Sequence, residues 1–259
     1  LIALEPLVAD GLLSESDVSE LTSLPADHVD FGRLVPLKRA ALETAFQRGR
    51  ERLAGDIASF RARYAEWLAD WALFAALKRA HRGAPWTEWD SAIRGRDPAA
   101  IDEARRALRD EIQYQAYLQF HFFRQWDAVR AAARERGIAI LGDVPIYVAH
   151  DSADVWAAPE WFRLDASALP TEVAGVPPDY FSATGQLWGN PLYRWDRLEA
   201  DGFAWWIRRL RAELAKFDLV RLDHFRGFAS YWAIPAGAAT KLAPTYKKWL
   251  DHDVAYLIS

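Results

Sequence analysis

Two short strand-like runs, each following a helical pattern, most constrain what this chain can fold into. The run at 138–141 (Ile-Ala-Ile-Leu) follows a long helical pattern that closes at Gly137, and the run at 219–223 (Leu-Val-Arg-Leu-Asp) follows an amphipathic pattern at 203–217. Short apolar runs in this context are typical of buried parallel strands. Because strands alternating with helices form parallel sheets of fixed handedness, the order predicts an α/β fold from about residue 137 onward.

Helical periodicity dominates the first half of the chain. Apolar residues recur at three- and four-residue steps from 38 to about 81. A second helix is expected from Asp97, an N-cap residue followed by proline, to about 136. Residues 1–37 lack a clear period and are expected to be irregular. The apolar stripe of the second helix is expected to pack in a core rather than to hold a metal or cofactor: Tyr114, Tyr117, Leu118, Phe122 and Trp126.

The predicted elements divide the chain into three segments. Residues 1–136 are expected to form a mainly helical subdomain, 137–236 the α/β segment and 237–259 a separate tail. Residues 151–202 contain many prolines, glycines and aromatic residues without a sustained period, which favours an ordered functional loop.

The composition argues against several classes of site and partner. The chain has no cysteine, so disulfides and thiolate metal sites are excluded. Its net charge of -4 argues against a nucleic-acid partner, and it has no apolar run long enough to span a membrane. It also has no methionine, even at position 1, so we expect it to begin inside a longer protein. A soluble cytoplasmic protein is the simplest expectation.

Two carboxylates are expected at the carboxyl ends of the predicted strands, where barrel folds place reacting groups: Asp143 and Asp223. Side chains alternate along a strand, so Arg221 should point to the same side as Asp223 and favour its charged form. A charged carboxylate suits a glycosidic nucleophile. Taken alone, however, the Arg-x-Asp spacing favours a structural ion pair at a strand end.

Four motifs carry a more specific signal because they stand in one order with consistent spacing. Residues 220–228 (Val-Arg-Leu-Asp-His-Phe-Arg-Gly-Phe) resemble the nucleophile motif of the amylomaltases, the 4-α-glucanotransferases of glycoside hydrolase family 77. Residues 142–148 (Gly-Asp-Val-Pro-Ile-Tyr-Val) resemble the preceding barrel strand of that family. Residues 173–182 and 185–193 resemble the loop that covers the acceptor side of its cleft.

The resemblance implies a fold and an activity. The fold would be part of a (β/α)8 TIM barrel with a large helical insertion subdomain. The activity would be transfer of α-1,4-glucan segments between maltooligosaccharides by retaining double displacement, with no metal or organic cofactor. Asp223 would be the nucleophile and Arg221 would hold it ionised. Residues implied to bind substrate are Asp143 and His224 at the donor sugar and, in the acceptor-side loop 173–193, Asp179, Tyr180, Phe181, Gln186, Trp188 and Asn190.

Departures from the family pattern are equally informative. The family's acid/base motif and its later third-acid motif are absent, and the tail after 236 is not family-like, so we expect a chain truncated at both ends. Phe31 stands where the family has a tyrosine at a secondary glucan site, which puts that site in doubt. Two alternatives follow: an amylase-like α-glucan hydrolase, and a fragment that is inactive because its acid/base glutamate is missing.

Overall fold

The computed structural model describes residues 1–178, 180, 183 and 185–238, together with the backbone of 245–248. The helices are α1 (Glu5–Ala9), α2 (Glu15–Thr22), α3 (Phe31–Gly49), α4 (Ala54–Arg63), α5 (Ala65–Ala80), α6 (Ser91–Arg94), α7 (Pro98–Ala107), α8 (Arg109–Glu135), α9 (Ala153–Ala157), α10 (Trp195–Ala200) and α11 (Ala204–Leu214). The strands are β1 (Leu141–Pro145), β2 (Glu172–Val176), β3 (Gln186–Pro191), β4 (Leu219–Asp223), β5 (Ser230–Pro235) and β6 (Thr245–Lys248).

The chain forms two compact units. The first contains Leu1–Arg79 and Asp102–Ala131, and the second contains Ala80–Ile101 and Ala132–Ser259. The three-segment division predicted from the sequence stays a prediction. In the described part of the chain, no helix is both long and apolar enough to cross a membrane.

Helices build the first unit around an apolar core. Leu7 and Leu12 are fully buried, and they belong to one cluster with Phe46 of α3 and Tyr117 of α8. The aromatic stripe of α8 thus contributes to core packing, as the periodicity predicts.

The expectation of an irregular segment at 1–37 is wrong, because α1, α2 and the start of α3 lie there. Capping groups explain why these short helices form without a long apolar period. The Asp17 carboxylate accepts the backbone N–H of Ser14 at 2.7 Å, just before α2. The Asp30 carboxylate accepts the backbone N–H of Arg33 at 3.1 Å and caps α3. Side chains at these positions satisfy N–H groups that the helix leaves unpaired.

The two long helices predicted from the sequence are each interrupted. The pattern at 38–81 is divided among α3, α4 and α5, and the pattern that begins after Asp97 is divided between α7 and α8. The predicted cap is confirmed, because the Asp97 carboxylate accepts the backbone N–H groups of Ala99 and Ala100, both at 3.0 Å.

Strands β1 and β4 form a parallel pair, which confirms the predicted parallel arrangement. The register places Asp143 opposite Arg221 and Pro145 opposite Asp223. Strand β4 has the bounds that the sequence predicts, whereas β1 begins at 141 rather than 138.

Asp218 explains where β1 begins. Its carboxylate accepts the backbone N–H of Ile140 at 3.0 Å, and its own backbone N–H donates to the carbonyl of Ile140 at 3.0 Å. The carboxylate also pairs with Arg134 at the end of α8. The apolar residues before Leu141 therefore belong to the connection into the strand.

The other four strands form an antiparallel sheet with the order β3-β2-β5-β6. Strands β2 and β3 lie between β1 and β4 in the sequence, and β5 and β6 follow β4. The segment 151–202 is therefore not a long loop, because it contains β2, β3 and two helices. Gly175 is required where β2 meets β3, since a Cβ there would lie 2.4 Å from the carbonyl oxygen of Gln186.

Alternation along β1 and β4 gives the parallel pair two different faces. Gly142 and Val144 point to the buried side, where the Phe217 ring fills the space beside Gly142. The opposite face exposes the odd-numbered residues of both strands. This exposed face carries the carboxylates and the guanidinium of the predicted site: Leu141, Asp143, Pro145, Leu219, Arg221 and Asp223.

Candidate active site

One arginine joins the two carboxylates on the exposed face of the parallel pair. Arg221 donates from Nε to Asp143 Oδ1 at 3.0 Å and from Nη2 to Asp143 Oδ2 at 2.5 Å. The same Nη2 lies 3.4 Å from Asp223 Oδ1. Asp223 is the last residue of β4, whereas Asp143 is in the middle of β1 rather than at its end. Arg221 therefore forms its bidentate contact with Asp143 on the paired strand, and not with Asp223 on its own strand.

This contact fixes the charges of the pair. The hydrogen bond from Arg221 lowers the pKa of the Asp143 carboxyl group below its usual value. The same hydrogen bond raises the pKa of Arg221. Because the carboxylate is ionised above its lowered pKa and the guanidinium is always charged, both ions persist throughout the neutral range.

His224 lies at a sharp turn directly after Asp223. Its backbone is left-handed, with φ of +53°, and its carbonyl accepts the N–H of Gly227 at 2.8 Å at the start of a short 3₁₀ helix. A Cβ on Gly227 would lie 2.5 Å from Ile146, so glycine permits this close turn. Burial lowers the pKa of the His224 ring, although the Asp223 charge opposes the effect. Neutral imidazole is thus favoured next to Asp223.

Trp188 of β3, in the antiparallel sheet, lies against His224. Its ring lies edge-on to the His224 ring, with centroids 5.0 Å apart and an angle of 87°. Its Nε1 donates to Gln186 Oε1 at 2.9 Å, and the residue is 37% exposed. The structure therefore brings Trp188, Gln186 and His224 together beside Asp223.

The remaining residues predicted to bind substrate have mixed positions. Asn190 donates from Nδ2 to the carbonyl of Val148 at 2.9 Å, so its amide nitrogen holds the backbone after β1. Tyr180 is fully exposed. Asp179 and Phe181 lie outside the described residues.

Phe31, the residue at the questioned secondary site, is the first residue of α3 in the first unit. Its ring is largely exposed. An exposed aromatic ring still has a face on which a sugar can stack, but phenylalanine offers no hydroxyl for a hydrogen bond.

Two residues without a predicted role in the site bind the backbone at the end of β1. Arg209 of α11 and Tyr193 both form hydrogen bonds with the carbonyl of Ile146. Tyr193 ends the family-like segment 185–193 but received no role there, and Arg209 lies outside all four motifs. Long-range bonds from side chains to carbonyls follow no spacing rule, so the sequence does not show these contacts. Within the described ranges, no group of three or more His, Cys, Asp or Glu side chains has a geometry that could hold a metal ion.

The chain has close relatives among known proteins. A family model described as 4-alpha-glucanotransferase matches residues 1–259, including the tail that the motifs left outside the family pattern. The chain is 51% identical over 252 residues to a 4-alpha-glucanotransferase of Thermus thermophilus, which covers 96% of this chain and 50% of that protein. It is 43% identical over 241 residues to a chloroplastic/amyloplastic 4-alpha-glucanotransferase of Solanum tuberosum, which covers 91% of this chain and 42% of that protein.

A solved structure has the same fold. The amylomaltase from Streptococcus agalactiae, in complex with acarbose, matches with a TM-score of 0.91 and 35% identity over 96% of this chain and 51% of that one. The chain thus spans about half the length of the curated relatives it matches. Because the family model extends over its whole length, this chain belongs to the 4-alpha-glucanotransferase family.

Proposed function

We propose that the whole protein is a 4-α-glucanotransferase that moves α-1,4-glucan segments between maltooligosaccharides, with Asp223 as its nucleophile. The observation that carries the proposal is the cluster of Asp143, Arg221 and Asp223 on one exposed face, next to His224 and Trp188. Family membership supports the reaction class. The acarbose complex of the Streptococcus agalactiae amylomaltase supports an α-glucan as substrate.

The proposed fold of the whole protein is a (β/α)8 barrel in which β1 and β4 are neighbouring strands. Residues 1–136 would be a helical insertion subdomain. Leu141 and Leu219 support this arrangement, because both are large apolar side chains exposed on the face that carries the carboxylates. Further strands of a barrel would cover them and remove the open edges of the two-stranded sheet.

The proposed reaction has two displacement steps. Asp223 attacks the anomeric carbon of the donor, the glycosidic bond breaks, and the departing oxygen takes a proton from an acid/base carboxyl group. A covalent glucosyl ester on Asp223 remains. The 4-hydroxyl of the acceptor then attacks the same carbon, gives its proton to the acid/base group and releases Asp223 with retained configuration. The acid/base group would belong to the part of the protein beyond residues 1–259, which lack its motif.

Arg221 would keep a fixed positive charge beside the nucleophile. Asp143 limits the rotation of the guanidinium, since it binds two of its nitrogens. When the second step releases Asp223, its carboxylate regains a negative charge. A guanidinium already fixed beside it stabilises that charge without reorganisation at the moment of reaction. His224 would line the donor sugar, because its ring follows directly on Asp223.

The acceptor would lie on the side of Trp188. Sugar rings stack on exposed aromatic faces, and Gln186 already orients the indole. Asp179, Tyr180 and Phe181 are proposed for the same side by resemblance alone, and Asn190 would support it through the backbone. A bound acceptor competes with water, which favours transfer over the hydrolysis of an amylase-like enzyme. The reaction itself requires carboxylates and positioning but no cofactor. The cytoplasmic location stays a prediction.

Incubation of the whole protein with maltotriose tests the proposal. A ladder of longer oligomers is expected. Glucose and maltose alone would make the protein a hydrolase, and an unchanged substrate would overturn the assignment. Asp223→Asn should abolish turnover, because the nucleophile and the acid/base group act as a unit. The matched control is Asp201→Asn, an exposed aspartate after α10 that should leave turnover unchanged.

We expect the 259-residue chain to show no appreciable transfer when it is assayed alone. General acid catalysis contributes roughly 10²–10⁴-fold, and a sugar leaving group depends on it. Transfer by the short chain at the rate of the whole protein would show that a carboxyl group within residues 1–259 serves as the acid/base.

A further inference from the structure

Arg209 is held in a fixed position on α11. Its guanidinium lies over the indole rings of Trp205 and Trp206, 5.7 and 4.9 Å from their centroids. Both indoles are buried. Stacking on two rigid rings restricts the rotamers of a long side chain, so the guanidinium is preorganised for the contacts that it makes.

The guanidinium binds the backbone at the carboxyl end of β1. Nη2 donates to the carbonyl of Pro145 at 2.6 Å, and Nη1 donates to the carbonyl of Ile146 at 3.1 Å. Nη1 also donates to the hydroxyl of Tyr193 at 3.2 Å, and that hydroxyl donates to the same Ile146 carbonyl at 2.7 Å. Pro145 lies opposite Asp223 in the strand register. The anchored backbone is therefore adjacent to the proposed nucleophile.

A series of ring contacts connects this anchor to Trp188. The fully buried Tyr193 ring is nearly parallel to the Tyr147 ring, with centroids 5.9 Å apart and an angle of 21°. The Tyr147 ring lies 6.2 Å from the Trp188 ring, which in turn contacts His224. Tyr147 is buried, and the next residue, Val148, is tied to Asn190. Displacement of the backbone at 145–148 would thus displace the ring against which Trp188 rests.

We propose that Arg209 and Tyr193 are positioning residues that set the orientation of Trp188 and thereby the balance between transfer and hydrolysis. This inference rests on the proposed function, since it assigns Trp188 to the acceptor side. Neither residue needs to touch a sugar. Both act through the carbonyls of Pro145 and Ile146 and through the Tyr147 ring.

Two conservative variants of the whole protein test the inference. Arg209→Lys keeps the charge and much of the stem over the indoles, but a single ammonium group cannot reproduce the planar fork that reaches two carbonyls and a hydroxyl. Tyr193→Phe keeps the stacked ring and removes only the hydroxyl. Arg208→Lys, at the exposed neighbouring position on α11, is the matched control.

The readout separates positioning from simple loss of stability. With maltotriose as substrate, new reducing ends report hydrolysis and longer oligomers report transfer. We expect kcat/KM for transfer to fall roughly 10- to 100-fold in Arg209→Lys, since displacement by about 1 Å has effects of this size. The ratio of hydrolysis to transfer should rise several-fold in both variants and stay unchanged in Arg208→Lys. Partial unfolding would lower both rates together and leave the ratio as it is.

An unchanged ratio in folded Tyr193→Phe, together with an unchanged ratio in Arg209→Lys, would overturn the inference. If Arg209→Lys does not fold, Tyr193→Phe decides alone. Failure of the proposed function has a different signature, because the unmodified protein would then produce no longer oligomers at all.

Discussion

Arg221 donates two hydrogen bonds to Asp143 on the paired strand and lies 3.4 Å from Asp223 on its own strand. The parallel register causes this arrangement, since it places Asp143 directly opposite Arg221. Asp143 would therefore act through the guanidinium in addition to any contact with the donor sugar.

Asp143→Asn tests this role. An amide cannot accept two charge-assisted hydrogen bonds, so Arg221 would be released from its fixed position. We expect kcat/KM for transfer by the whole protein to fall by as much as roughly 10²-fold, because small displacements in a catalytic cluster have effects of that order. The melting temperature should change little, since both partners of the ion pair are exposed.

Asp165→Asn is the control for that variant, because Asp165 is also exposed and its carboxylate accepts backbone N–H groups of its own turn, from Ser167 and Leu169. Full activity in Asp143→Asn would show that the position of Arg221 does not depend on Asp143.

Trp188→Leu should weaken acceptor binding. An aromatic contact contributes about 0.5–1.5 kcal/mol beyond buried area, so the KM for the acceptor should rise by up to roughly tenfold. Titration of a fixed donor with increasing glucose as acceptor measures this change. Leu169→Ala, at an exposed apolar position outside β3, should leave the KM unchanged. An unaltered KM in Trp188→Leu would remove Trp188 from the acceptor side.

Gly142→Ala should destabilise the parallel pair. An added Cβ would lie 2.2, 2.4 and 2.7 Å from three carbons of the Phe217 ring, so the ring or the strand would have to shift. Overpacking of this kind costs roughly 1–3 kcal/mol, measurable as a lower melting temperature. Gly55→Ala in α4 is the matched control, because a Cβ added there would have no atom within 4 Å and alanine favours a helix by roughly 0.5–1 kcal/mol. Equal melting temperatures in Gly142→Ala and the unmodified protein would contradict the packing argument.

Local patterns predicted the parallel pair but not the antiparallel sheet. Strand β4 coincides with the short apolar run at 219–223, so its bounds were predictable. Strands β2 and β3 depend on each other and on β5, which lies some distance along the chain. Strand formation of this kind reflects pairing and burial more than intrinsic preference, and a single sequence does not reveal the partner.

The site was predictable to a similar extent. Motifs identified Asp143, Arg221 and Asp223, but the bidentate partner of Arg221 depends on strand register, which spacing along one chain does not give. Arg209 was missed for a related reason, since its partners are carbonyl groups that any residue supplies.

His121 in the first unit predicts a dependence of stability on pH. Its ring is fully buried on α8, 4.3 Å from the Tyr117 ring, and within the described residues neither ring nitrogen has a hydrogen-bond partner. Burial, assisted by the charge of Arg124 and opposed by that of Asp10, lowers the pKa of His121 to about 4. The folded state therefore holds a neutral imidazole at pH values where the unfolded chain already binds a proton.

The sign of the effect follows from this difference in proton binding. An unfolded histidine titrates near 6.5, so the unfolded state takes up a proton between about pH 6.5 and 4 while the folded state does not. Stability should fall as the pH is lowered through that window, by about 2 kcal/mol at pH 5. In His121→Phe, which keeps a planar ring and has no group to titrate, this part of the loss should disappear. Urea unfolding of the whole protein at pH 7.5 and 5 measures the difference, with exposed His28→Gln as the control. Equal losses in His121→Phe and the unmodified protein would show that His121 does not control this acid sensitivity.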